Sequence, residues 1–184
     1  HRVAGVRPIG YRSPAWDFSE RTIELLIEYG FRYDSSCMGH DFYPYYLRRG
    51  DQWSTTAAYQ FGEVTELVEL PVTWGLDDFP VSECVIGLNE GLRAPSAVEE
   101  MWRDDFDYAR ANYVDGLFTL TLHPQTIGRG NRMLMLERLI KHFAENDAKF
   151  ETMGDYYDRW RQANPVSLWL EQNPDLSGEL AINP

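Results

Sequence analysis

Apolar positions along the chain switch between short continuous runs and helical spacing, and the switches mark the expected elements. VRPIGYRS, residues 6–13, reads as a loop entering a short strand. Ser19 is placed to cap a helix over 20–29, with Ile23, Leu26 and Ile27 on one face and Gly30 as its stop. FRYDSS, residues 31–36, reads as a second short strand ending in turn residues. Residues 37–63, rich in Tyr, Gly and Asp, read as an irregular stretch of the kind that carries function. LVELPV, residues 67–72, predicts a strand, and TWGLDDFP the loop at its end. Ser96 is expected to cap a helix over 97–113. GLFTLTLH, residues 116–123, predicts an apolar strand suited to burial on both faces. Asn131 is expected to cap a helix over 132–146, followed by a short strand at AKFETM, residues 148–153, and a helix near 156–162. After Pro165 the pattern predicts loop and turn, with one apolar patch around Trp169.

Strand and helix therefore alternate along the chain, which predicts an α/β fold with a largely parallel sheet. Such sheets place their chemistry at the carboxyl ends of their strands. No internal repeat and no low-complexity segment interrupts the order. At 184 residues the chain is one domain by length, with 1–164 forming its body and 165–184 a tail packed on it.

Composition narrows the partners. The net charge of −12, with no Lys/Arg run, argues against nucleic acid and anionic membranes. No segment approaches the length of a membrane span. The two cysteines, Cys37 and Cys84, read as free, buried thiols of a cytoplasmic protein. Six Trp and 11 Tyr suit either a core or a wet binding surface, because each offers a flat apolar face with a polar edge.

Three stretches carry candidate chemistry. In TLTLHP, His123 follows an apolar strand directly and precedes Pro124, which puts an imidazole where such folds keep their sites. Imidazole is the side chain suited to acid–base work near neutral pH, although a structural histidine fits the same position. In WGLDDFP, Asp77 and Asp78 stand side by side at the end of the other apolar strand. One of them could accept from His123 and fix its tautomer, or both could belong to a solvated turn. In GYRSPAWDF, residues 10–18, Arg12 stands among Tyr11, Pro14 and Trp16, ready for a bidentate grip on a carboxylate or for an ordinary salt bridge. In GRGNR, residues 128–132, two arginines at a helix start oppose the helix dipole and call for a partner carboxylate.

Taken in order, GYRSPAWDFS, LPVTWGLDDFP and LTLHPQTIGRGNRMLMLERLI resemble the polysaccharide deacetylase family, the NodB-homology or carbohydrate esterase 4 group. Its cytoplasmic branch of peptidoglycan-deacetylase-like and allantoinase-like proteins is the nearest in look. The resemblance runs from Gly10 to about Trp160 and rests on three of the five motifs of the family. It implies a distorted (β/α) barrel, of which this chain would be the C-terminal portion. It also implies a divalent metal, usually zinc, held by one Asp and two His, and a separate Asp as general base. Arg12 matches the arginine that holds that base. Asp78, with Phe79 beside it, best matches the carboxylate that orients the catalytic histidine, with Asp77 as the alternative. His123 matches the histidine that protonates the leaving amine. Leu122 or Leu120 would line the acyl pocket, and Tyr11, Trp16 and Trp74 the substrate groove.

The first two motifs of the family have no counterpart here. The histidines are His1, His40, His123 and His142, and no two have HxxxH spacing. His40, beside Asp41 on the irregular stretch, reads as substrate-side or surface. No metal ligand is therefore assigned, and the ligands are expected from a missing N-terminal part that would precede HRVAGVRP. A partial barrel would leave strands unpaired, so further chain or a second copy, hence a homo-oligomer, is expected to cover the edge. The expected function is metal-dependent hydrolysis of a non-peptide carbon–nitrogen bond, with an N-acetylated sugar or polysaccharide as substrate. Two rivals stand beside it: an allantoinase-like or cyclic-imide amidohydrolase, and a metal-free carbohydrate-binding relative.

Overall fold

A computed structural model describes residues 3–87 and 89–174. The chain divides into two compact units, one formed by His1–Cys37, Pro44–Leu70 and Glu151–Pro184, the other by Met38–Tyr43 and Pro71–Phe150.

The first unit is built on a four-stranded sheet of β1 (Gly10–Tyr11), β2 (Tyr33–Asp34), β3 (Tyr45–Arg49) and β4 (Glu63–Glu69) in the order β1-β2-β4-β3. The β1/β2 and β2/β4 pairs are parallel, and β3 runs antiparallel on β4. Helix α1 (Thr22–Glu28) supplies the crossover that a parallel β1/β2 pair requires. A Cβ at Gly10 would meet the Tyr33 ring at 2.1 Å, so a larger residue there would have to displace that ring. Leu26, Leu47 and Leu67 form the buried centre, flanked by Tyr11, Phe18 and Phe31. Each fully buried Leu contributes about 1.5–3 kcal/mol. Two further helices of this unit, Met153–Ala163 and Val166–Gln172, bring Trp160 and Trp169 against the Tyr46 ring, each at 5.4 Å between centroids.

The second unit is mainly helical: α2 (Asp78–Ser82), α3 (Pro95–Asn112), α4 (Pro124–Ile127) and α5 (Gly130–Glu145), with a small antiparallel pair of β5 (Cys84–Val85) and β6 (Asn89–Glu90). Val98, Trp102 and Phe106 recur every four residues on α3, and Met135, Leu139 and Phe143 do so on α5. That spacing puts each trio on one face, and the two faces form one core that Leu76 and Ile127 complete. The Phe106 and Phe143 rings stand 4.5 Å apart.

The α/β reading and the parallel preference agree with this sheet, while several local expectations do not. The stretch expected to be irregular contains β3, whose burial runs in a block instead of alternating. Residues 116–123 form no strand, only a single parallel bridge between Asp77 and Thr121, and residues 148–153 form none. The predicted caps also shift: α1 starts at Thr22, α3 at Pro95 and α5 at Gly130, with Arg21, Ala94 and Arg129 at the cap positions. A Pro at the first helical position, where its missing N–H costs nothing, outcompetes the Ser96 cap. The tail is helical over Val166–Gln172 with Trp169 buried; its residues 175–184 lie outside the described ones. Both cysteines are free as expected, but Cys37 is only half-buried, and Cys84 is exposed on a two-residue strand that is exposed throughout.

Candidate active site

In the second unit the chain places a histidine directly against a buried carboxylate. The bridge between Asp77 and Thr121 is carried by two hydrogen bonds: Thr121 N–H donates to the Leu76 carbonyl at 2.9 Å, and Asp78 N–H to the Thr121 carbonyl at 3.1 Å. The Asp77 side chain caps α2 by accepting from Phe79 N–H at 2.7 Å. Asp78, the first residue of that helix, is 0% exposed. It accepts the His123 backbone N–H on both oxygens, at 3.0 and 3.1 Å, and its Oδ1 lies 2.7 Å from His123 Nδ1. An ionised carboxylate only accepts, so Nδ1 carries the proton. The histidine side chain remains 38% exposed, which leaves its other edge open to solvent. Of the two adjacent carboxylates, Asp78 makes the bond and Asp77 stands off at 3.7 Å. Leu120 and Leu122 are half-buried against the helical core, and Trp74 is 46% exposed on the turn before α2.

Arg12 belongs to the first unit. Its Nε donates to the Ser35 carbonyl at 2.9 Å and its Nη2 to Ser35 Oγ at 2.7 Å. Ser13 N–H donates to Ser36 Oγ at 2.8 Å. Directly after Pro14, Ala15 and Trp16 hold φ of +53° and +55°. Two successive non-glycine residues in the left-handed region cost about 1 kcal/mol or more each, the kind of strain that marks functional turns. Trp16 is half-buried there, while Tyr11 packs edge-on to Phe31 within the leucine core.

Sequence reasoning missed a further cluster in this unit. The β2/β4 register sets Asp34 opposite Glu69, and both are 0% exposed. Glu69 Oε1 accepts from Ser36 N–H and Cys37 N–H, each at 2.8 Å. Burial, with the charge of Asp34 behind it, pushes Glu69 up to about 9, and burial pushes Asp34 up as well. The Cys37 thiol is also pushed up, by burial and then by the two carboxyl groups. No short motif could have announced the pair, because it depends on strand register.

Among the described residues, two groups bring enough donors together to be considered for a metal: Asp34, Cys37 and Glu69, and Asp77, Asp78 and His123. Neither fits the set of one Asp and two His that the family resemblance implies. In the first, Glu69 Oε1 is committed to two backbone N–H groups and the thiol holds its proton. In the second, there is one imidazole, its Nδ1 is committed to Asp78, and Asp77 caps a helix. His40 is occupied too, its Nδ1 accepting from Phe42 N–H and Tyr43 N–H. Of the GRGNR arginines, expected to meet a carboxylate from substrate, a neighbouring subunit or the tail, Arg132 instead donates to Glu83 of the same unit at 2.7 Å.

No family model matches the chain. It is 35% identical over 176 residues to the peptidoglycan deacetylase of Helicobacter pylori, covering 89% of this chain and 60% of that protein. The chain is thus similar to polysaccharide deacetylases over most of its own length. A peptidoglycan deacetylase-like protein of Gibberella zeae is 29% identical over 161 residues, covering 78% of this chain and 48% of that one. The chain thus spans about half to three fifths of the length of these relatives. A crystal structure from Mycobacterium smegmatis assigned to the polysaccharide deacetylases superposes with a TM-score of 0.69 at 32% identity, over 89% of this chain and 52% of that one. The Puue allantoinase shares the fold at a TM-score of 0.68 and 23% identity, over 89% of this chain and 49% of that one.

Proposed function

We propose that the protein hydrolyses a carbon–nitrogen bond other than a peptide bond, removing the acetyl group from an N-acetylated sugar of a polysaccharide. The observation that carries this is the buried Asp78 bonded to His123 at 2.7 Å, in a chain 35% identical to a peptidoglycan deacetylase. His123 is the general acid: Asp78 holds Nδ1–H, so Nε2 delivers the proton to the departing amine as the amide bond breaks. Arg12 holds the general base, and Trp16, Trp74 and Leu122 contact the substrate, while Tyr11 supports them from the leucine core. We read the sheet and helices as the C-terminal portion of a distorted (β/α) barrel, a reading supported by the likeness to the Mycobacterium smegmatis structure. A divalent metal, with zinc as its identity, would polarise an amide carbonyl and activate water, although neither donor group among the described residues fits it. A cytoplasmic location and assembly with a second copy complete the proposal. No described helix is long and apolar enough to cross a membrane.

A second reading, hydrolysis of a small cyclic ureide or imide on the same scaffold, draws on the fold shared with the Puue allantoinase. The test is to offer the full-length protein N-acetylated chito-oligomers and cyclic imides side by side. Acetate release from the former, abolished in His123→Ala, supports the first reading. Ring opening of the latter with no acetate release supports the second.

A further inference from the structure

The parallel register of β2 and β4 makes Asp34 and Glu69 direct neighbours inside the first unit, both without solvent contact. Like charges directly opposite on paired strands destabilise a sheet, and an interior of low dielectric magnifies the repulsion. Their outer oxygens are satisfied: Asp34 Oδ1 accepts from Ser36 Oγ at 3.2 Å, and Glu69 Oε1 takes the two backbone N–H groups. Asp34 Oδ2 and Glu69 Oε2 have no donor among the described residues, although both are fully buried. The titratable groups around them are Cys37, Tyr45 opposite Glu69 on β3, and Arg12, which is bonded to Ser35. None of these hydrogen-bonds to Asp34 Oδ2 or Glu69 Oε2.

We propose that Asp34 and Glu69 hold one proton between Oδ2 and Oε2, and that this bridge is the positioning device for Arg12. One proton gives each orphaned oxygen a partner and removes one of the two negative charges. The raised ionisation of both groups, caused first by burial, agrees with it. The path to Arg12 is short. Ser35, which supplies two oxygen acceptors to the guanidinium, lies between Asp34 and the two N–H groups held by Glu69. Ser35 Oγ donates in turn to the carbonyl of Leu70, the residue after Glu69, at 2.7 Å. Ser36 Oγ fixes Ser13 N–H beside Arg12. The bridged pair therefore pins the turn at both ends, and the turn aims the guanidinium. This inference rests on the reading of Arg12 as part of the hydrolytic machinery.

The test uses the full-length protein and two readouts that need no activity. Difference infrared spectra near neutral pH report a protonated carboxyl, expected in the wild type and missing in Glu69→Gln and in Asp34→Asn. Exchange of the Arg12 Nε–H, followed by NMR, reports the positioning. Glu69→Gln replaces the shared proton by an amide N–H and is expected to keep that protection. Glu69→Ala is expected to lose it by about tenfold or more, as a locally opened turn would. If acetate release is established, Glu69→Ala lowers kcat by about 100-fold, the cost of a ~1 Å misplacement, and Glu69→Gln recovers at least about tenfold of that. Should Glu69→Ala fail to fold, Glu69→Gln still decides through the loss of Arg12 protection with rising pH, which occurs in the wild type and not in the amide variant. No protonated carboxyl near neutral pH, or equal Arg12 protection in the wild type and Glu69→Ala, overturns the proposal. A protein that shows the infrared band but releases no acetate refutes the assigned reaction and leaves the shared proton standing.

Discussion

Asp78→Asn separates an orienting carboxylate from an incidental one. Asp78 is 0% exposed and receives three contacts from His123: its backbone N–H at 3.0 and 3.1 Å, and Nδ1 at 2.7 Å. An asparagine can present one oxygen to Nδ1, but its NH2 group then faces the His123 backbone N–H, donor against donor. The variant keeps the volume, so no cavity term enters. The lost charge-assisted bond and the new unsatisfied donor together cost about 2–3 kcal/mol. If that falls on the transition state, turnover drops about 30–150-fold, at 1.36 kcal/mol per factor of ten. The assay is acetate release from N-acetylated chito-oligomers by the full-length protein, with denaturant unfolding in parallel. Combination with His123→Ala should add little, because the two side chains act as one unit. Asp77→Asn is the control: it weakens a helix cap at about 0.5–2 kcal/mol of stability and leaves kcat nearly unchanged. An Asp78→Asn enzyme with full turnover, or a larger kcat loss in Asp77→Asn, refutes the reasoning.

Further predictions address stability. Trp102 is 0% exposed and donates through Nε1 to the Gly75 carbonyl at 2.8 Å, so Trp102→Ala should cost about 3–5 kcal/mol by denaturant melts; a cost below 1 kcal/mol contradicts the packing. Ala15 is exposed at φ +53°, so Ala15→Gly should be neutral or stabilising by about 1 kcal/mol, and a clear loss in Tm contradicts the strain. Glu69 binds its proton more tightly folded than unfolded, so the folded state holds more protons between the ordinary carboxyl range and about 9. Stability is then fully present below that range and falls as pH rises, by up to about 1.4 kcal/mol per unit relative to Glu69→Gln, flattening above about 9. Parallel unfolding curves for the two proteins across that window contradict it.

The sequence carried the long helices well, because α3 and α5 each repeat apolar residues every four positions over several turns. Their starts were harder: Ser96 drew the cap away from Pro95, which itself opens α3, and the cap of α5 at Arg129 makes no side-chain hydrogen bond where Asn131 offered one. Strands were legible only where pairing partners exist. GLFTLTLH has the composition of a buried strand, yet among the described residues it pairs at Thr121 alone, and pairing is a property of the neighbour. β3 was hidden for the opposite reason, a charged end and a burial block that does not alternate. His123 and Asp78 could be singled out because each closes an apolar run, and the contact between them needed only the bridge at Thr121. Asp34 and Glu69 could not, since their meeting depends on a two-residue register, Tyr33 with Val68 and Asp34 with Glu69, between residues 35 positions apart in sequence.

The central claim is that His123 gives its proton to a departing amine. It is tested most directly by the turnover of His123→Ala in the full-length protein on an N-acetylated chito-oligomer, with metal content measured on the same sample. The account predicts a loss of about 10²–10⁴-fold in kcat with metal content unchanged. Undiminished acetate release, or loss of the metal together with the imidazole, contradicts it.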